Sequence, residues 1–261
     1  MADLPPSLYV ADGDLRFSPT ELTRGPWSDA AQHGGAPASL LAGLIEDHER
    51  SGARVARLTV ELLRPVPLTP LEVRIETVRP GRKVQLIQAS LLADDREVVR
   101  ATALRIRVRS LGLDDPRPEP VPERGTRSDF IFDPGVVMFG SAFDIRRERD
   151  WHAGSVGPQV VWFRLRVPVV EGREASPLQR LAAAADFPNG ISSVVPWDEG
   201  WIFINPDLTI HVARAPRGEW IGLDARTVPG DDGVGIAEAA IFDEHGRVGR
   251  STQSVLFDRP G

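Results

Sequence analysis

The stretch GRVGRSTQSVLF, Gly246 to Phe257, echoes an earlier one, REVVRATALRIR, Arg96 to Arg107. Val98 and Val248, Arg100 and Arg250, and Thr102 and Thr252 stand in register, each pair 150 positions apart. The match breaks at the next position, where Ala103 answers Gln253. Moving outward, the offset persists. Leu58-Thr59-Val60 answers Leu208-Thr209-Ile210, Arg64 answers Arg214, and Thr77-Val78 answers Thr227-Val228. A constant offset over three strands marks a duplicated module of about 100 residues rather than a solenoid, whose units are shorter and more numerous.

Within each module the pattern has a period of two. Leu58, Val60 and Leu62 alternate with Arg57, Thr59 and Glu61; Leu71, Val73 and Ile75 with Glu72, Arg74 and Glu76; Leu104, Ile106 and Val108 with Arg105, Arg107 and Arg109. One apolar face and one charged face predict antiparallel strands, with turns at Arg79–Lys83 and Ala93–Glu97. A helix precedes each run. Leu40, Leu41, Leu44 and Ile45 share one face in PASLLAGLIEDHE, and Leu178, Leu181, Ala182 and Ala185 share one in SPLQRLAAAAD. The helices match at an offset of 186 − 47 = 139, pairing Asp47 with Asp186, so an insertion follows Asp186 around FPNGISSVVPW. The stretch Leu111–Asp129 is rich in proline and charge and without periodicity, and it reads as a linker. The expected organisation is a first domain over 1–110, a linker over 111–130 and a second domain over 131–261.

Composition narrows the chemistry. The 261 residues carry a formal net charge of −6 and are 41% hydrophobic. That is enough for a core, and the acidic balance argues against non-specific nucleic-acid binding. No apolar run approaches the length of a membrane span. MADLPPSLYV has no basic region followed by an apolar one, so a cytoplasmic location is expected. Cysteine is absent, which removes disulfides and thiolate catalysis. The five histidines form no i, i+4 pair and no HExxH pattern, so neither a metal nor another cofactor is expected. Lys83 is the only lysine, and arginine supplies the remaining positive charge.

One long helix against a curled antiparallel sheet, present twice, is the double hotdog, an α+β fold. The segments GPWSDAAQHGGAPASLLAGL, SPLQRLAAAADFPNGIS, FINPDLTIHVARAP and GRVGRSTQSVLF resemble those of the type II acyl-CoA thioesterases, specifically the thioesterase-like proteins with two fused hotdog domains. The likeness covers most of both halves and is loose over Asp129–Val170. It implies hydrolysis of an acyl-CoA substrate without a cofactor, and a homo-oligomer, a dimer of double hotdogs. It also implies three residues that hold the attacking water. An aspartate ending the second helix maps onto Asp186, and a glutamine on the last strand maps onto Gln253. A hydroxyl residue maps onto Asn205, which departs from the family pattern. Thr209 stands four residues further along, on the same face of a continuous strand but about 13 Å away.

The residues themselves support this chemistry. Thioester hydrolysis needs an activated water and a stabilised oxyanion. With no cysteine and no GxSxG elbow, a carboxylate is left as general base or as direct nucleophile. Asp186 follows four alanines at a helix C-terminus, where apolar surroundings and the macrodipole make a carboxylate a better proton acceptor. The alternative is an aspartate that bonds the following loop amides. Gln253 can donate and accept at once and so orient a water; only one copy of a duplicated protein must keep it. Gly34 or Gly35, opening the first helix after His33, offers a backbone amide as oxyanion donor. His33 itself, Trp197 and Trp201 in the insertion, and Arg79, Arg82 and Lys83 in a turn suited to the nucleotide of CoA complete the candidate substrate contacts. Asp47 reads as the decayed copy of Asp186. Two other classes compete: a non-catalytic acyl or small-ligand carrier, and a hotdog hydratase or dehydratase, which needs an Asp/His pair such as Asp207 and His211.

Overall fold

A computed structural model describes residues 4–49, 51–113, 115, 117–128, 136–148 and 155–259. The expected start of the second domain, residue 131, lies outside them. The first half contains β1 (Tyr9–Ala11), β2 (Arg16–Pro19), α1 (Gly35–Asp47), β3 (Ala53–Leu62), β4 (Leu71–Arg79), β5 (Val84–Ala93) and β6 (Arg96–Arg107). The second contains β7 (Thr126–Ser128), β8 (Phe143–Arg147), β9 (Gln159–Leu165), α2 (Pro177–Ala184) and α3 (Pro188–Ile191). It continues with β10 (Ile202–Ile204), β11 (Asp207–Val212), β12 (Trp220–Pro229), β13 (Val234–Asp243) and β14 (Gly246–Asp258).

These strands form one large antiparallel sheet in the order β1-β2-β4-β5-β6-β3-β11-β14-β13-β12-β9-β8-β7, with β10 added beside β14. From β4 to β12 the order is palindromic. The centre of symmetry is the β3·β11 seam, where Thr59 lies opposite Thr209, its own repeat counterpart. Registers repeat as well: Thr59 pairs with Thr102, and Thr209 with Thr252. The two halves also meet away from the seam. Tyr9 N–H donates to Val169 O and Leu8 N–H to Pro168 O, so the N-terminal strand clasps the segment that leads into α2.

The period-two pattern fixes which face is inside. Leu58, Val60, Leu208 and Ile210 are fully buried toward the helices, while Arg57, Glu61 and their neighbours face out. On β12 and β13 the inward positions include Ala225, Ala237 and Ala239, small enough for α3 to lie close. The helices α1 and α2 cross at close range because α1 carries glycine at the contact. A Cβ on Gly35 would stand 2.6 Å from Ala183 O.

Two expectations change. The second helix is not long: it is an eight-residue α2, a turn, and a four-residue α3. Pro188 cannot donate a backbone hydrogen bond, so it ends one helix and serves as first residue of the next. The linker is not a free spacer. Thr126–Ser128 pairs with β8, and the residues before it dock on the second half, with Arg124 bonding Glu244 at 2.9 Å and Trp162 Nε1 donating to Glu123 O.

Candidate active site

Ser176 starts α2 with a reciprocal cap: its hydroxyl accepts from Gln179 N–H and its amide donates to the Gln179 side chain. Four buried alanines, Ala182 to Ala185, carry the chain to Asp186 in the turn between α2 and α3. Asp186 is only 6% exposed. Its Oδ1 accepts from Gln253 Nε2 at 2.8 Å and from Asn205 Nδ2 at 2.9 Å. Its Oδ2 lies 3.1 Å from His33 Nδ1. A Cβ on Gly34 would stand 2.7 Å from that oxygen, so the first residue before α1 leaves the carboxylate its space by being glycine. Residues 153 positions apart, His33 and Asp186, thus meet where the N-terminus of α1 crosses the C-terminus of α2.

Gln253 bonds three protein groups. Its Nε2 donates to both Asp186 Oδ1 and Asp186 O, and its Oε1 accepts from Asn189 N–H at 3.1 Å. Through Nε2 it holds Asp186, and its Oε1 keeps a second lone pair for another donor. Asn205 holds Asp186 too, donating also to Asp207 O at 3.3 Å.

His33 packs against two rings that also stack on each other, 4.7 Å from Phe139 and 4.8 Å from Phe187. Its Nδ1 also lies 3.1 Å from the Gly35 amide. One ring nitrogen cannot accept from Gly35 and donate to Asp186 together, so the proton on this pair decides whether the Gly35 amide is engaged. The Gly34 amide donates to no group of the described residues. Both stand at the positive end of α1.

A cleft of about 30 Å³ opens above the carboxylate, lined by Trp27, His33, Asp186, Asn189, Trp197 and Asn205 among others. Trp27 and Trp197 stack at 4.8 Å over it, each edge-on to Phe203. Trp197 therefore lines the same cleft as Asp186. Trp201 packs behind it, under the Arg259 guanidinium, and does not line the cleft. Sequence reasoning missed Trp27 and Asn189, although both fall inside the quoted segments.

Other expected contacts lie elsewhere. Thr209 sits on the outer face, its hydroxyl 3.2 Å from that of Thr59, because the chain breaks at Asn205-Pro206 between β10 and β11 and the four-residue spacing no longer keeps one face. Arg79, Arg82 and Lys83 occupy a turn beside the C-terminus of α1, where Thr77 bonds Glu49. That is the far end of a 13-residue helix from His33, roughly 20 Å away. Asp207 bonds Ser254 N–H and His211 is exposed, so they form no pair. Around Asp47 the repeat keeps neither the asparagine nor the glutamine that hold Asp186. Asp47 is exposed, Val55 stands for Asn205 and Ala103 for Gln253. Arg105, in the place of Val255, donates to His48 O and Glu49 O at the end of α1. Among the described residues no group of three or more His, Asp or Glu is placed to hold a metal ion, and no helix is long and apolar enough to cross a membrane.

With that geometry in view, residues 23–106 match the model of the acyl-CoA thioesterase N-terminal domain and residues 113–257 that of the acyl-CoA thioesterase C-terminal domain. The chain belongs to the acyl-CoA thioesterase family. No curated protein sequence matches it. Among solved structures it is similar to a conserved protein of unknown function with a hot dog fold from Alicyclobacillus acidocaldarius (18% identity, 97% of this chain and 96% of that one, TM-score 0.73). It is also similar to an acyl-CoA thioesterase II, TesB2, from Mycobacterium marinum (16% identity, 92% and 97%, TM-score 0.67). A tesB protein of Mycobacterium avium subs paratuberculosis is a third (15% identity, 96% and 95%, TM-score 0.64). At these identities the likeness establishes the hotdog fold.

Proposed function

We propose that this protein, built as two fused hotdog modules, hydrolyses acyl-CoA thioesters to the free acid and CoA at Asp186. The observation that carries this reading is a buried carboxylate on a cleft, oriented by Gln253, Asn205 and His33 beside the amides that open α1. Asp186 Oδ2 takes a proton from water as the water oxygen bonds to the thioester carbonyl carbon. The carbonyl oxygen becomes an oxyanion beside the Gly34 amide. Its collapse breaks the C–S bond, and the thiolate leaves as CoA, taking up the proton. Direct attack by Asp186 through an anhydride uses the same groups. Single turnover in ¹⁸O-water reveals the anhydride route if label enters the Asp186 carboxylate, which requires an anhydride opened by water at Asp186 Cγ. The test of the reading is a panel of acyl-CoA chain lengths assayed with a thiol reagent, for wild type and Asp186→Asn. Turnover that falls about 10²–10⁴-fold in the variant with little change in KM supports a positioned base. Tight binding without turnover in the wild type would make the protein a carrier.

The His33–Asp186 pair at 3.1 Å favours one second reading, a hydratase or dehydratase acting on an enoyl or 3-hydroxyacyl thioester. Loss of the enoyl absorbance without release of free thiol would select it.

A further inference from the structure

Asn189 is the second residue of α3 and is 3% exposed. Its Nδ2 donates to Phe203 O at 3.0 Å, which fixes the orientation of the amide, since a carbonyl needs a donor. Its Oδ1 therefore points the other way, and it is buried with no partner among the described groups. A buried acceptor left unpaired is uncommon and costly. Asn189 lines the cleft over Asp186 together with Asn205 and His33. The cleft measures about 30 Å³, more than the roughly 10–15 Å³ that a bound water needs. The NH2 groups of Gln253 and Asn205 donate to Asp186, so of the amides at the site only Asn189 presents a buried acceptor with no partner among the described groups.

We infer that Asn189 Oδ1 is a water-holding catalytic group. One O–H of the attacking water donates to Asp186 and the other to Asn189 Oδ1, which leaves an oxygen lone pair for the thioester carbonyl carbon. This rests on the hydrolase reading. Asp186 removes the first proton as the carbon–oxygen bond forms. Asn189 keeps the second hydrogen in place and takes no proton. An amide oxygen suits the task because it accepts without competing as a base. The backbone of the same residue bonds Gln253 Oε1, so Asn189 ties the water to the glutamine that orients the carboxylate.

Two measurements test this. A high-resolution crystal structure of the wild type should show one ordered water within hydrogen-bond reach of both Asn189 Oδ1 and Asp186 Oδ2. In Asn189→Ala, kcat for hydrolysis should fall about 10- to 100-fold with KM within about two-fold, a share of the span for general-base catalysis. With hydroxylamine added, hydroxamate formation should fall less than acid formation, because that nucleophile does not depend on the placed water. A site without the water, a folded variant with unchanged kcat, or equal loss of both products would overturn the inference. Should Asn189→Ala not fold, Asn189→Ser takes its place under the same criteria, and the crystallographic result stands alone. A wild type inactive on every acyl-CoA sinks the hydrolase reading and this role with it; an active wild type without the water sinks this role alone.

Discussion

Asp186 has the place that a side chain at residue 34 would need. The 2.7 Å gap between a Cβ at Gly34 and Asp186 Oδ2, with Leu62 Cδ1 at 2.9 Å on the other side, leaves an alanine no way in without moving the carboxylate. Gly34→Ala is expected to lower kcat by about 10²-fold, the cost of a displacement near 1 Å at a reacting group, while the thermal midpoint falls by only a few degrees. Steady-state kinetics beside a melting curve check this; unchanged kcat would mean that the carboxylate is not held tightly. Asp47 offers the matched control. It is exposed, and Val55 and Ala103 stand where Asn205 and Gln253 stand in the other copy. Asp47→Asn should leave kcat within about two-fold, since a surface substitution away from special features changes little. A crippled Asp47→Asn with a healthy Asp186→Asn would place the reaction in the other half.

At the scale of elements, two loops do the work that the repeat does not supply. The loop before α1 brings Trp27, 48% exposed, onto Trp197 from the insertion after α3. The pair forms part of the wall of the cleft at Asp186, so removing a ring widens it. Trp27→Ala removes one stacked ring at a cost of about 1 kcal/mol. It should raise kcat/KM for long acyl-CoAs relative to short ones, as the same chain-length panel would reveal. The β13–β14 turn is held by Asp243, which accepts from Arg214 and from the amides of Arg217 and His245. Burial works against its ionisation, but the Arg214 hydrogen bonds and the two amides outweigh it and hold the carboxyl below its usual range. A carboxylate with a depressed folded-state value stabilises the fold above its unfolded value near 3.9 and loses that contribution as pH falls through the folded one. Unfolding by denaturant should therefore show a stability loss below about pH 4 that is smaller in Asp243→Asn. An acid limb of unchanged steepness in the variant would assign it to other carboxylates.

For the whole molecule, the 150-residue offset in the sequence carries over into the palindromic strand order and the matched registers at Thr102 and Thr252. The offset is visible because inward and outward positions of a strand are set locally by a period of two. The break after Ala184 was legible in Pro188, and the exposure of Asp47 in the charged EDHER around it. Contacts across the repeat were not legible. Nothing in the spacing places His33 on Asp186, or Thr209 on the outer face, since both depend on how two helices and two strands cross. Asn189 carries no periodic signal. The clasp of Leu8 and Tyr9 on Pro168–Val169 involves a segment too short to read as a strand partner.

The β3·β11 seam and the clasp join the halves without needing a covalent link between them. Leu111 and Gly112 lie on an exposed stretch where the chain could be severed, before the residues that dock on the second half. Fragments ending at Leu111 and beginning at Gly112, produced together, should reassemble through the seam. Trp27, His33 and Gly34 belong to one fragment, and Asp186, Asn189 and Gln253 to the other. Neither alone should release thiol from an acyl-CoA, whereas the mixture should, so the protein becomes its own complementation reporter. Activity in the second fragment alone would show that its partner is dispensable to the chemistry.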